Sequence, residues 1–228
     1  MESNDRQSQD VDRFFTDFSA RWSSLYGGER NAFWRWFDNK FRRDIYERYE
    51  LTFDALGEDL RGKSVIDIGC GDGVYSFEAA RRGASSVLGV DIAEGMISLC
   101  QKRSRELNLD DQTKFVCTEF PPPSPLVDPQ QKYDIGIVMG VMDYVSDPVA
   151  FLQALREHVS GLVVISFPGK RWLRWQLRRW RYKLLGRCAI FHYHETDMRE
   201  SCRKAGLHGL EITYLPHSGG CYFVRSRE

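Results

Sequence analysis

Short apolar runs alternate along this chain with longer stretches whose apolar residues recur every three or four positions. Val65-Ile66-Asp67-Ile68, Ser86–Asp91, Phe115–Phe120, Tyr133–Met139 and Leu162–Phe167 are short, rich in β-branched residues and read as buried strands. Between them lie helical patterns at 77–82, 148–158 and 95–107, the last with Met96, Ile97, Leu99 and Cys100 facing inward. A helix over 195–205 starts at His194 or Thr196 and stops at Gly206. Strands at 208–215 and 220–225 then form an antiparallel end, joined across Pro216–Gly220. The first 59 residues differ from the rest. A polar tail, 1–10, precedes two aromatic helices: Phe14, Phe15, Phe18 and Trp22 stripe one, and Phe33, Trp34, Phe37, Phe41, Ile45 and Tyr49 the other. This predicts an α/β domain over 60–228 behind a helical arm, 11–59.

Composition narrows the class. At 228 residues, 42% hydrophobic and 28% charged, the chain suits one globular core. Lys+Arg and Asp+Glu balance at 32 each, so global charge points to no nucleic-acid partner. The start is polar and no apolar run approaches ~18 residues, which predicts a cytoplasmic protein. Six cysteines without a C-x-x-C pair read as reduced thiols.

The chemistry-bearing stretch is Asp67-Ile68-Gly69-Cys70-Gly71-Asp72-Gly73. Glycine tolerates φ > 0 and lacks a Cβ, so this backbone can turn tightly and admit a ligand. Strand, glycine turn and helix together present a nucleotide-like ligand at the carboxyl edge of a sheet, and Asp91 ends the next strand where an acid can accept from ribose hydroxyls. The glycines follow G-x-G-x-G rather than the dinucleotide spacing G-x-G-x-x-G. A carboxylate at Asp67 repels a pyrophosphate and suits a cationic ligand.

At these residues the stretch resembles the first motif of class I S-adenosylmethionine (SAM) methyltransferases, with distant similarity to the magnesium-protoporphyrin and quinone-biosynthesis O-methyltransferases. The resemblance spans roughly 60–225. It implies a Rossmann-like, seven-stranded, mainly parallel sheet with an antiparallel end strand and helices on both faces. It also implies SAM as cofactor and S-adenosylhomocysteine as product. Carried over residue by residue, it assigns cofactor contacts to Asp67, Gly69, Cys70, Gly71, Gly73, Asp91, Ile92 and Met96. Thr118, Glu119 and Phe120 are carried over for the adenine, and Met139 and Gly140 for the methionine moiety, with Met142 the alternative to Met139 as a pocket wall. Asp143 and Tyr144 stand near the acceptor or serve as a cap and core packing.

Three regions bear on the acceptor. The run Arg21-Trp22 and Leu25-Tyr26-Gly27 looks like the arm of magnesium-protoporphyrin O-methyltransferases, which makes the arm a lid, with Tyr26 reaching the site, or simply two packed helices. From Lys170 to Arg187 eight basic residues and no acid interleave with Trp172, Trp175 and Trp180. This basic amphipathic insertion, 170–187, is a solvated face, a peripheral membrane contact or a roof over an anionic substrate. His192 and His194 are general-base candidates, against a capping or surface role. No third ligand accompanies them, so no metal is expected. The expected activity is methyl transfer to an oxygen, less so a nitrogen, of a small-molecule or lipid-linked acceptor by a monomer or homodimer. The rival is an inactive SAM-binding sensor or partner-activating subunit. No Asn/Asp-Pro-Pro-Tyr/Phe run follows the fourth strand, which sets amino-methylating DNA enzymes aside.

Overall fold

A computed structural model describes residues 43–122, 131–169, 190–216 and 220–227. Tyr26, the first aromatic helix and the basic insertion 170–187 lie outside the described residues. The elements run α1 (Arg43–Leu56), β1 (Ser64–Ile68), α2 (Val74–Arg81), β2 (Ser86–Asp91), α3 (Glu94–Glu106), β3 (Thr113–Cys117), β4 (Tyr133–Val138), α4 (Pro148–His158), β5 (Val159–Pro168), α5 (Glu195–Lys204), β6 (Glu211–Leu215) and β7 (Cys221–Arg227).

Seven strands form one sheet in the order β3-β2-β1-β4-β5-β7-β6. β1 to β5 are parallel, and β7 runs antiparallel between β5 and β6. From β1 the chain builds outward through β2 to β3, then returns to lay β4 on the other side of β1. Connections therefore leave the carboxyl ends of β1 and β4 in opposite directions and open a crevice between them.

Alternation along the strands divides the core. Ile66, Ile68, Leu88, Val90, Ile165 and Phe167 pack with Leu152 and Leu155 of α4 and Met198 and Cys202 of α5. Val65, Val87, Ile137 and Val164 pack on the opposite face with Ala79 and Ala80 of α2 and Leu51, Ala55 and Leu56 of α1. A third cluster joins Phe77 of α2, Ile97 and Cys100 of α3 and Phe115 of β3 to Cys70. A large apolar side chain so buried contributes about 1.5–3 kcal/mol.

Boundaries move where backbone partners decide them. α2 begins at Val74 instead of 77, because Gly73, left-handed at φ 76, is its N-cap and accepts the Phe77 N–H. β3 ends at Cys117, whose pairing with Asp91 is the last of its register, so Thr118, Glu119 and Phe120 leave the sheet as a loop. β6 starts at Glu211 rather than 208; Gly209 turns at φ 58 and the His208 carbonyl accepts from Ser226 Oγ. The helix ending in the Tyr49 stripe runs on to Leu56.

The cross-link between α1 and α2 positions one wall of the crevice. Arg82 Nε donates to Glu78 Oε1 at 2.8 Å, its Nη1 donates to the Gly57 carbonyl at 2.8 Å, and the guanidinium lies 4.5 Å over the Phe53 ring. Hydrogen bonds from Arg81 and then Arg82 hold the Glu78 carboxyl down at about 2 against its partial burial.

Gly89, at the centre of β2, leaves room for two residues beneath the crevice. A Cβ there would lie 2.5 Å from the Phe115 ring and 3.1 Å from Cys70 Sγ. Gly89→Ala is expected to lower unfolding stability by about 1–3 kcal/mol, as overpacking does. Urea unfolding measures it, and an unchanged midpoint would show that the ring yields freely.

Candidate functional site

At the end of β1 the chain must leave a buried strand and enter α2 within five residues. Gly69 (φ 67), Gly71 (φ 53) and Gly73 (φ 76) all adopt left-handed backbone, where a side chain is strained. Gly69 also lies against Val141, with no space for a Cβ. The space above Gly71 is open to 4 Å. Val90 O accepts the Gly69 and Cys70 N–H groups at 2.7 and 3.1 Å, and Asp91 Oδ2 accepts the Gly71 N–H at 2.8 Å. The other Asp91 oxygen, Oδ1, accepts the Ala93 N–H at 2.9 Å. One carboxylate thus clamps the glycine turn to the end of β2.

Over this turn opens a cavity of about 1370 Å³. Single small-ligand pockets run to roughly 300–1,000 Å³, so the space suits a cofactor and an acceptor together. Its walls bring together Gly69, Cys70, Gly71, Asp91, Ile92, Met96, Thr118, Glu119, Phe120, Met139, Gly140 and Tyr144. These come from the carboxyl ends of four strands and the start of α3, far apart in sequence.

Other expected residues stand elsewhere. Asp67 is 1% exposed and does not line the cavity. It shares the face of Val65, turned toward α2, and accepts from Ser76 Oγ at 2.6 Å. Gly73 packs under the turn, beside Phe77 and Cys100 Sγ. Met142 is fully buried in the core, so the wall is Met139. Asp143 is off the wall; its carbonyl accepts the Phe191 N–H at 2.8 Å.

The two histidines flank a residue that faces the core. Tyr193 is buried against Phe167, and its hydroxyl donates to the Val145 carbonyl at 3.1 Å. In an extended segment its neighbours then point away, and neither His192 nor His194 lines the cavity. His194 is exposed and is the N-cap of α5, its N–H reaching Asp197 Oδ2 at 3.4 Å. Among the described residues no three His, Cys, Asp or Glu groups are set to hold a metal ion, and no helix is long and apolar enough to cross a membrane.

Sequence reasoning missed the wall contributed by α1 and α2. Tyr46, Arg48, Tyr49 and Tyr75 line the cavity, and Arg48 Nη1 stands 3.6 Å from where a Cβ on Gly140 would lie. Burial pushes the Tyr75 hydroxyl up to about 12, so it stays protonated at neutral pH. The aromatic stripe ending at Tyr49 was the available signal. It marks a packed face but does not say that Arg48, one position away, overlooks Gly140.

A family profile for a methyltransferase domain matches residues 39–212. A ubiquinone biosynthesis O-methyltransferase of Neisseria meningitidis serogroup C (strain 053442) is 34% identical over 138 residues, 58% of this chain and 56% of that protein. The chain therefore spans little more than half the length of such relatives. Among solved structures, magnesium protoporphyrin IX methyltransferase from Synechocystis PCC 6803 with bound SAH aligns over 97% of this chain and 99% of that one, at 21% identity and TM-score 0.71. Geranyl diphosphate C-methyltransferase from Streptomyces coelicolor A3(2) aligns over 82% and 79%, at 16% identity and TM-score 0.62. These last two likenesses are of fold.

The acid beneath the turn makes stability depend on pH. Burial, and then the nearby Asp91 and Asp72 charges, push the Asp67 carboxyl up to about 7, although the Ser76 hydrogen bond opposes them. An unfolded aspartate titrates near 3.8. The folded chain thus keeps a proton that the unfolded chain has lost. The stability this confers is full below about 4 and is lost as pH rises through about 7. Asp67→Asn should flatten that slope, worth on the order of 3–4 kcal/mol between about pH 4 and 8. Urea unfolding across that range tests it, and parallel curves for the two proteins would reject it.

Proposed function

The chain belongs to the methyltransferase-domain family, of the SAM-dependent class I fold, and from that premise we propose that it moves the methyl group of SAM to an oxygen of a small-molecule or lipid-linked biosynthetic acceptor. The observation that carries this is the large cavity built on the glycine turn that Asp91 holds. Its size leaves room for an acceptor beside a cofactor.

SAM supplies an electrophilic methyl on a sulfonium sulfur. The open space over Gly71, with its positive φ, fits a ligand lying close on the backbone. Asp91 accepts from the ribose hydroxyls, with its carboxylate already oriented by the Gly71 and Ala93 amides. Ile92, Met96 and Phe120 cover the adenine, and Thr118 and Glu119 meet its polar edge. Arg48 faces the methionine carboxylate from across Gly140, and Met139 and Gly140 border the transferring methyl. Breaking the methyl–sulfur bond in favour of an oxygen–methyl bond would remove the sulfonium charge, so apolar walls such as Met139 and Val141 would favour the transfer. Tyr144 borders the acceptor. Rate then comes chiefly from holding the reactants in line and excluding water.

The names of the relatives suggest acceptors: an intermediate of ubiquinone biosynthesis, or magnesium protoporphyrin IX. The test is incubation with SAM and a panel containing both, following S-adenosylhomocysteine release and a mass gain of about 14 Da. Tight SAM binding without product from any acceptor would favour a binding protein over an enzyme. Asp91→Ala should weaken SAM binding by about 1–3 kcal/mol, and Arg48→Ala by a similar amount, as expected for charged hydrogen bonds. Calorimetric titration with SAM measures both, and unchanged affinity in either variant removes that residue from the site.

A further inference from the structure

β5 carries a hydroxyl in an apolar run. Ser166 stands between Ile165 and Phe167 and is 1% exposed. A buried hydroxyl without a partner costs about 1–3 kcal/mol, so its bond identifies what it is for. Ser166 Oγ accepts the Gly140 N–H at 2.8 Å, across 26 positions of sequence.

That amide sits where the sheet lets the chain go. The β4–β5 register ends at Val138 with Ile165, and the β4–β1 register ends at Ile68 with Val138. Two residues on, Gly140 turns into left-handed backbone at φ 78 and joins the cavity wall. No ladder reaches its N–H, and the Ser166 hydroxyl takes the place of a ladder carbonyl. The next residue, Val141, rests its methyl against Gly69. A continuous line of contact therefore runs from β5, through the exit of β4, to the first glycine of the turn.

We propose that Ser166 is a positioning residue for methyl transfer, fixing the Gly140-Val141 exit that borders the methionine end of the cofactor and braces the glycine turn. It acts through Gly140 and is not on the cavity wall. The assignment rests on the methyltransferase function proposed above.

A second buried strand serine provides the control. Ser226 on β7 is 2% exposed and donates to the His208 carbonyl at 2.6 Å, outside the cavity. Ser166→Ala and Ser226→Ala each remove one buried hydroxyl, and each should lower Tm by roughly 2–4 °C. Only Ser166→Ala should raise the Kd for SAM, by roughly five- to tenfold. Only Ser166→Ala should speed exchange of the Gly140 amide, followed by NMR without cofactor, also by about tenfold. Equal SAM affinities in the two variants, or an unchanged Gly140 exchange rate, would overturn the role of Ser166 alone. A parent protein that binds no SAM would overturn the function beneath it, whatever the amide does.

Discussion

Asp91 Oδ2 receives the Gly71 N–H at 2.8 Å, and much of the molecule is arranged so that this bond can form. The turn between β1 and α2 passes through three left-handed glycines, a path that parallel pairing of β1 with β2 alone does not determine. The carboxylate supplies the missing constraint. It sits at the end of β2, holds the middle of the turn with one oxygen and the entrance to α3 with the other. The carboxylate is thereby fixed on the cavity wall, which reduces the ordering that binding requires.

The cavity needs more than the turn. Reversal of strand order between β1 and β4 opens the crevice, and the α1 helix closes one side of it. α1 keeps its place by the packing of Leu51, Ala55 and Leu56 on the core and by Arg82, which bridges Glu78 and the Gly57 carbonyl while lying over Phe53. A short surface ion pair contributes little, but Glu78 and Arg82 are largely withdrawn from water and share their charges with backbone and ring, which gives the link direction. Tyr46, Arg48 and Tyr49 are carried on this helix.

Charge around the turn is uneven. Asp72 and Asp91 supply the negative charge near the turn, while burial keeps the neighbouring Asp67 largely protonated below neutrality. Arg48 of α1 stands beside Gly140 on the cavity wall. Such a field suits a ligand with a cationic centre and a carboxylate tail. The distribution thus agrees with the family to which the chain belongs.

The sequence by itself determined the order of strands and helices, the glycine turn and the acid at the end of the second strand. These are local signals: β-branched runs, glycine spacing and a residue at a strand terminus each act through neighbours a few positions away. Tertiary structure decided which side chains reach the cavity. Asp67 and Asp91 share one face of the sheet, but Asp67 pairs with Gly89, two residues deeper than Asp91, so one is buried against Ser76 and the other stands on the rim. His192 and His194 were candidates for a base or a cap; Tyr193 between them takes the inward position, and neither lines the cavity. Arg48 and Ser166 carry no motif; only the packing of α1 and the end of the β4 ladder bring them to Gly140, one from before it in the chain and one from after.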